Sequence, residues 1–497
     1  MALPILTVEQ MRLWEVSTWA SGMSEGEVIR RVGAQIAARV RELVLPGEGV
    51  LLLAGRGHNG DDVRAALPLL GDLDARMIRV IDPVEALAEL RRELERERRP
   101  VWMVDGLFGM GLNRDLTGDW VELVEALNGS GIPMVAVDVP SGLDADTGKP
   151  RGTAIRATLT LTVGAPKVGL IADWAAEWVG RLEVLAEVGL RADPMESIAA
   201  EERGRGGAGG AFPWRWTEAE DFLGFPRRRM VASHKGTFGH VAMIAGSLGY
   251  HGAAVLAARG AAKARPGLIT VFTSPETYGP VAGQLAAPMV SPWSEGMELP
   301  VKTTALLVGP GLAGGNIPGW LRERIVVWWR DLQLPMVADA SALDWLAGVE
   351  PCRAALRVIT PHLGEARRIL ERRGVAVAGD RRGMLEALAV GGMWVVLKGN
   401  QTLVGNGEGP IYVNSSGNPG LAQGGSGDGL AGFLAGFLAQ PSLGAEPLLA
   451  MRYAVWEHGA AADRLEAGGG SWTVEDLVGS LGGRGAVRVE GEQSRSV

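Results

Sequence analysis

Short unbroken apolar runs, each followed by a polar or glycine-rich loop and then a helical stretch, recur along the whole chain. In the first half they are VLLLA at 50–54, MIRVI at 77–81, VWMVD at 101–105 and MVAVDV at 134–139. In the second half they include VAMIAG at 241–246, LITVFT at 268–273, ALLVG at 305–309, MVADA at 336–340 and MWVVLKG at 393–399. A strand that alternates apolar and polar residues has one wet face. A strand apolar throughout has none, so helices must cover both sides, and the sheet is parallel. The expected fold class is therefore α/β. Ligands in such folds lie beyond the carboxyl ends of the strands, so the residues after each run carry the functional argument.

At 497 residues the chain should hold more than one domain. The segment 191–213, RADPMESIAAEERGRGGAGGAFP, is charged and then glycine-rich, without apolar periodicity, and reads as a linker. The expected domains are 1–190 and 214–490. No apolar run approaches the ~18 residues of a membrane span. The first residues, MALPILTVEQMRLWEV, lack a basic stretch and a small-residue cleavage site, so a cytoplasmic protein is expected. The single cysteine, Cys352, excludes an intramolecular disulfide and fits a reducing compartment. Six histidines without a Cys/His cluster argue against zinc. A net charge of −8 argues against general nucleic-acid binding, which needs clustered Lys and Arg. Small-residue helix faces at 253–264 and 428–436 would permit close packing, and a homo-oligomer is expected.

The segment NPGLAQGGSGDGLAGFLAGFLAQ begins at Asn418. Its loop, 424–427, leads into an apolar helical stretch at 428–439. Glycines there let backbone amides approach a phosphate, and a helix N-terminus adds partial positive charge. Asp428 would stand beside the phosphates, where a carboxylate can take a proton from an attacking hydroxyl. A glycine-rich turn with Asp428 as a helix cap would look the same. Lys398-Gly399 follows a strand, with Thr402 four residues after the lysine; this suits nucleotide phosphates or ribose, or else a surface hairpin. Thr360-Pro361-His362-Leu363-Gly364-Glu365 follows the run RVI, and His362 alone reads as an ordinary loop histidine. Gly309-Pro310-Gly311-Leu312 follows ALLVG, and could be only a tight turn. His234-Lys235-Gly236 precedes a strand, Gly246-Ser247 follows it, and Gly252-Ala253 opens the next helix.

In order and spacing, HKGTFGHV, the GS…GA helix start, GPGL, TPHLGE, LKG…T and GGSGDGLAG resemble the ADP/ATP-dependent NAD(P)H-hydrate dehydratases, a branch of the ribokinase-like superfamily. The similarity covers about 215–485. It implies a ribokinase-like three-layer domain in which Asp428 acts in the chemistry. Lys398, Gly399, Asn400, Gln401, Thr402 and Gly427 would bind the adenine nucleotide, ADP or ATP, with Mg²⁺. Ala253, Gly311, His362 and Asp428 would contact the hydrated nicotinamide. Where the family commonly has Asp-Ala-Asp, this chain has Asp339-Ala340-Ser341, so Ser341 cannot supply a second carboxylate.

Three loops in the first half also end strands. They are Gly55-Arg56-Gly57-His58-Asn59-Gly60-Asp61-Asp62, the stretch from Asp105 to Leu112, and Asp138-Val139-Pro140-Ser141-Gly142-Leu143-Asp144. Each alone could be a plain turn; together they would converge on one crevice. They resemble the NAD(P)H-hydrate epimerase domain, over about 5–190, commonly fused ahead of the dehydratase. That likeness implies a Rossmann-like three-layer domain and a K⁺ ion held by Asn59, Asp105 and Ser141. It implies substrate contacts at His58, Asn59, Gly60, Asp61 and Asp62, at Gly109, Met110, Gly111, Leu112, Asn113, Arg114 and Asp115, and at Asp138. An oxygen-lined site suits a hard monovalent cation. Asp138 is the acid/base candidate for exchanging the configuration at C6. The family loop usually reads Asn-Asn-Gly-Gly-Asp-Gly. Here Asp61 and Val63 replace glycines, and Asp61 is expected to add bulk and negative charge near the ligand. The expected function is repair of hydrated NADH and NADPH by dehydration and epimerisation. The alternative is a kinase of a small hydroxylated metabolite with a non-catalytic first domain.

Overall fold

The computed structural model describes residues 2–204, 213–376 and 379–483. The chain divides into two compact units, with the boundary at Pro213.

The first unit is built on a six-stranded sheet: β1 (Gly49–Ala54), β2 (Asp74–Arg79), β3 (Pro100–Gly106), β4 (Met134–Val137), β5 (Leu159–Val163) and β6 (Arg181–Leu185). The order is β2-β1-β3-β4-β5-β6 and every pairing is parallel. Alternate side chains of β1 enter different cores. Val50 and Leu52 pack with Val28, Val32 and Ile36 of the helix Glu25–Leu43. Leu51 and Leu53 pack with Ala86, Leu87 and Leu90 of the helix Pro83–Leu94. Both faces are covered, which is why β1 reads as one apolar run. The chain goes from β1 to the β2 edge, then returns to the other side of β1 as β3. The sheet therefore opens a crevice between the carboxyl ends of β1 and β3. Pro194–Gly204 forms a helix inside the expected linker. Its Ile198 is fully buried with Leu6, Met11, Leu13, Trp14 and Ala165, so one apolar anchor outweighs the polar composition around it.

The second unit carries β7 (Trp214–Thr217), β8 (His240–Ile244), β9 (Leu268–Thr273), β10 (Met289–Pro292), β11 (Ala305–Val308), β12 (Met336–Ala338), β13 (Arg357–Ile359), β14 (Trp394–Leu397), β15 (Leu403–Gly405) and β16 (Ile411–Asn414). They run in the order β7-β16-β15-β14-β13-β12-β11-β8-β9-β10. From β14 to β10 the pairing is parallel. β15 departs from the parallel expectation, lying antiparallel to β14 and β16. Its link to β14, residues 398–402, is too short for a crossover, so the strand must double back. Gln401 takes a left-handed φ of 53° in that turn.

Helices His251–Ala264 and Ser426–Leu438 lie backbone against backbone in this unit. A Cβ on Gly260 would fall 2.2 Å from the Gly429 carbonyl oxygen, and one on Gly432 would fall 1.9 Å from that of Ala257. The small-residue faces expected to admit another subunit are thus engaged with each other. Among the described residues no helix is long and apolar enough to cross a membrane.

Candidate active sites in the two units

In the second unit the glycine loop turns at Gly425, where φ is 97° and a Cβ would meet Leu256 Cδ1 at 2.4 Å. Only glycine fits that turn, and the helix Ser426–Leu438 starts directly after it. Lys398, at the end of β14, reaches the foot of this helix: a Cβ on Gly427 would sit 3.1 Å from its Nζ. The ammonium is held 2.8 Å from Asp339 Oδ1, which also accepts from Thr360 Oγ1 at 2.8 Å. Burial opposes the lysine's charge, but Asp339, Glu365 and Asp428 outweigh it and push its pKa up. Asp428 lies in the first helical turn. Burial, then the charge of Asp339, raises its carboxyl to about 7 against the pull of Lys398. A carboxylate poised there can accept a proton near neutrality.

His362 and Lys398 form a β-bridge, so both face the same strand ends. His362 caps the helix Leu363–Arg372: its Nδ1 accepts from the Gly364 amide at 3.0 Å, while Glu365 Oε2 accepts from the His362 amide at 2.9 Å. The ring otherwise remains more than half exposed and available to a ligand. Gly311, at φ 65°, and Ala253 are neighbours; a Cβ on the first would lie 3.0 Å from that of the second. They stand beyond the carboxyl ends of the paired strands β8 and β11, which stay joined there by the Gly246 amide donating to the Pro310 carbonyl at 2.9 Å. Asn400, Gln401 and Thr402 form the hairpin beyond Lys398, closed by Thr402 Oγ1 donating to the Gly399 carbonyl at 3.0 Å. His458 was not legible as a site residue. It is buried behind the loop, its Nε2 3.0 Å from the Ser426 carbonyl oxygen, and burial lowers it to about 4, so it is neutral. It lies inside the helix Pro447–Ala467, where a lone histidine carries no motif.

In the first unit the crevice is a cavity of about 760 Å³. Its lining includes His58, Asn59, Asp62, Gly109, Met110, Gly111, Leu112, Asn113, Arg114 and Asp138, but not Gly60, Asp61 or Asp115. Both suspect substitutions point elsewhere. Asp61 pairs with Arg64 at 2.7 Å on the half-exposed side of the helix His58–Ala66. Val63 is fully buried in the core with Val32 and Val50. Successive residues of a helix point in different directions around its axis, so neighbours of a lining residue need not line. Replacing Asp61 with Gly is expected to move the KM of the first unit's reaction by less than about fivefold, the scale of a surface ion pair. A larger gain in steady-state assays would mean that Asp61 obstructs after all.

Beneath the cavity, Asp105 is fully buried; its Oδ1 accepts from Ser141 Oγ at 2.7 Å and its Oδ2 from the Ser141 amide at 2.9 Å. Burial raises it to about 6 against those bonds. Asn59 donates to the carbonyls of Phe108 and Val137 at 2.9 and 3.0 Å, while its own Oδ1 is buried without a partner. An all-oxygen set with one orphaned acceptor and a buried carboxylate fits a hard monovalent cation. Two lining groups escaped the sequence reading. Glu15, on the helix Val8–Ala20, is raised to about 7 by burial and then by Asp138. Lys167, just after β5, ion-pairs with Asp138 at 2.5 Å. Asp62 is raised further, to about 8, by burial and then by Asp138.

Two α/β units, one with a cationic glycine loop and a protonatable carboxylate, the other with an acid-lined crevice over an oxygen nest, define a two-domain enzyme of ribokinase-like and Rossmann-like parts. A model of the NAD(P)H-hydrate dehydratase family matches residues 241–478, and one of the YjeF-related protein N-terminus matches 79–169. The bifunctional NAD(P)H-hydrate repair enzyme of Gloeobacter violaceus is 34% identical over 510 aligned positions, covering 94% of each chain. That of Coxiella burnetii is 32% identical, covering 93% of this chain and 94% of its own. A solved ADP/ATP-dependent NAD(P)H-hydrate dehydratase from Bacillus subtilis, co-crystallised with ATP and Mg²⁺, is 28% identical over 51% of this chain and 91% of its own, with a TM-score of 0.45. The chain belongs to the family of bifunctional NAD(P)H-hydrate repair enzymes.

Proposed function

We propose that the second unit dehydrates the S form of NAD(P)H hydrate at the expense of ADP or ATP, and that the first unit interconverts the R and S forms. The observation that carries the reading is Asp428, with its carboxyl raised to about 7 beside Lys398 and the glycine loop. Hydroxide is a poor leaving group from C6 of the reduced ring. Asp428 takes the hydroxyl proton as the oxygen attacks the terminal phosphorus of the nucleotide. The phosphate then leaves with the C–O electron pair, and the C5 proton passes to the departing phosphate as the C5–H pair restores the ring double bond. The amides at 425–428 and Lys398 hold the charge of the moving phosphoryl group.

Lys398 to Thr402 and Gly427 bind the nucleotide, and Ala253, Gly311 and His362 contact the nicotinamide. Among the described residues no three acidic, histidine or cysteine side chains cluster as a metal cage. Mg²⁺ would therefore arrive on the phosphates and neutralise their charge. K⁺, held by Asn59, Asp105 and Ser141, would supply a fixed positive charge under the substrate loop. In the first unit Asp138 takes the C6 hydroxyl proton as the C6–N1 bond opens to an aldehyde, and returns it when N1 adds back to the opposite face, which exchanges the configuration at C6. Incubating the full chain with hydrated NADH and either nucleotide should restore the near-ultraviolet absorbance of NADH. No recovery with either nucleotide would sink the dehydratase reading; prompt use of only the S form would sink the epimerase reading.

A further inference from the structure

Lys167 is the most deeply buried cation at the first unit's crevice, its side chain 1% exposed. Its backbone is fixed on both sides, since Leu6 donates to the Pro166 carbonyl and Val168 donates to Leu6, each at 2.9 Å. All three donors of its ammonium are engaged: Asp138 Oδ1 at 2.5 Å, the Val163 carbonyl at 2.9 Å and Thr162 Oγ1 at 3.1 Å. Asp138 itself sits at φ 62°, a left-handed conformation that costs a non-glycine residue free energy and needs support from its surroundings. Its Oδ1 accepts from Lys167 and, at 3.2 Å, from the Val163 amide. Its Oδ2 faces the crevice: a Cβ built on Gly109, a lining residue, would lie 3.6 Å from that oxygen and 3.5 Å from Asn59 Cγ. The two oxygens of one carboxylate therefore have different tasks.

We propose that Lys167 is the positioning residue of the first unit, locking Oδ1 of Asp138 so that Oδ2 is presented to the C6 hydroxyl. The inference rests on the epimerase reading and deepens it. Lys167 does not carry the proton itself, because its three N–H groups are directed into the protein.

The test uses the full chain and follows conversion of R to S hydrate by chiral chromatography, without nucleotide. Lys167→Met is expected to lose about a hundredfold in kcat, the low end for a misplaced acid/base group, with KM within about threefold. Lys167→Arg should recover part of that loss. The double variant Asp138→Asn/Lys167→Met should be no slower than Asp138→Asn alone, since a positioning residue has nothing left to position. This pair is also matched in charge, so it reads the proposal where Lys167→Met alone fails to fold. Wild-type kcat in Lys167→Met overturns the proposal. So does a double variant slower than Asp138→Asn, or an active Asp138→Asn beside a dead Lys167→Met, which would make the lysine the proton carrier. A wild-type chain that leaves the R form unchanged sinks the epimerase reading instead.

Discussion

Asp428→Asn is expected to lower the nucleotide-dependent dehydration rate by about 10²–10⁴, the contribution of a positioned proton acceptor, while nucleotide affinity stays within about threefold. The two effects separate because the proposed mechanism gives phosphate binding to Lys398 and the loop amides, and needs the side chain of Asp428 only when the hydroxyl must lose its proton. In the wild-type chain the carboxyl at about 7 predicts a rate that falls as the pH drops through that value. The stability consequence has the opposite slope. Folding raises this carboxyl, so the folded state binds its proton more tightly than the unfolded chain. That stabilisation is fully present below the ordinary carboxylate pKa of 3.8 and is lost as the pH rises through about 7. Asp428→Asn should therefore raise the melting temperature of the second unit on the alkaline side, and the gain should fade in acid. Stopped-flow rates, calorimetric titration with ADP and melting scans across pH check the three claims. An unchanged rate in the variant would remove Asp428 from the chemistry.

The strands covered by helices on both faces are legible because burial on two sides leaves an uninterrupted apolar run. β9 coincides with its run, LITVFT. β5 and β6 are not legible in that way. β5 is LTLTV, and its Thr160 and Thr162 are fully buried, their hydroxyls satisfied by the Val179 carbonyl and by Lys167. β6 is RLEVL at the edge of the sheet, where alternation replaces the run. The site motifs are legible for a different reason: glycines and chemically committed side chains stand in fixed order after strands. What the order cannot tell is which face of a turn each residue takes. Asp61 follows lining residues and points out to Arg64. Glu15 comes from a helix more than 100 positions before Asp138 in the chain, and only folding brings their charges into contact. Lys167 stands in GAPKVG, which carries no catalytic signature, and its task depends on a strained backbone at Asp138.

Gly432→Val tests whether the Asp428 helix is held by packing or by its phosphate loop alone. A Cβ at this position would lie 1.9 Å from the Ala257 carbonyl oxygen and 2.6 Å from its carbon. Neither atom belongs to a flexible side chain, so relief requires the helices His251–Ala264 and Ser426–Leu438 to move apart. Overpacking costs about 1–3 kcal/mol or more, and a backbone obstacle places this case at the upper end. That corresponds to a fall of roughly 10 °C in the melting of the second unit. Dehydration should be lost even below the melting temperature, because Asp428 is one turn from Gly432 and moves with it, away from Lys398. Gly479→Ala provides the contrast. Nothing lies within 4 Å of its Cβ position in the helix Val474–Ser480. There alanine should stabilise by roughly 0.5–1 kcal/mol and leave the rate alone. If Gly432→Val melted and turned over as the wild type does, the close approach of the two helices would have no part in holding Asp428. The glycines of GGSGDGLAGFLAG would then serve the loop only. The geometry argues instead for two uses in one segment: Gly425 for the turn that starts the helix, and Gly432 for the contact that keeps Asp428 in register with Lys398.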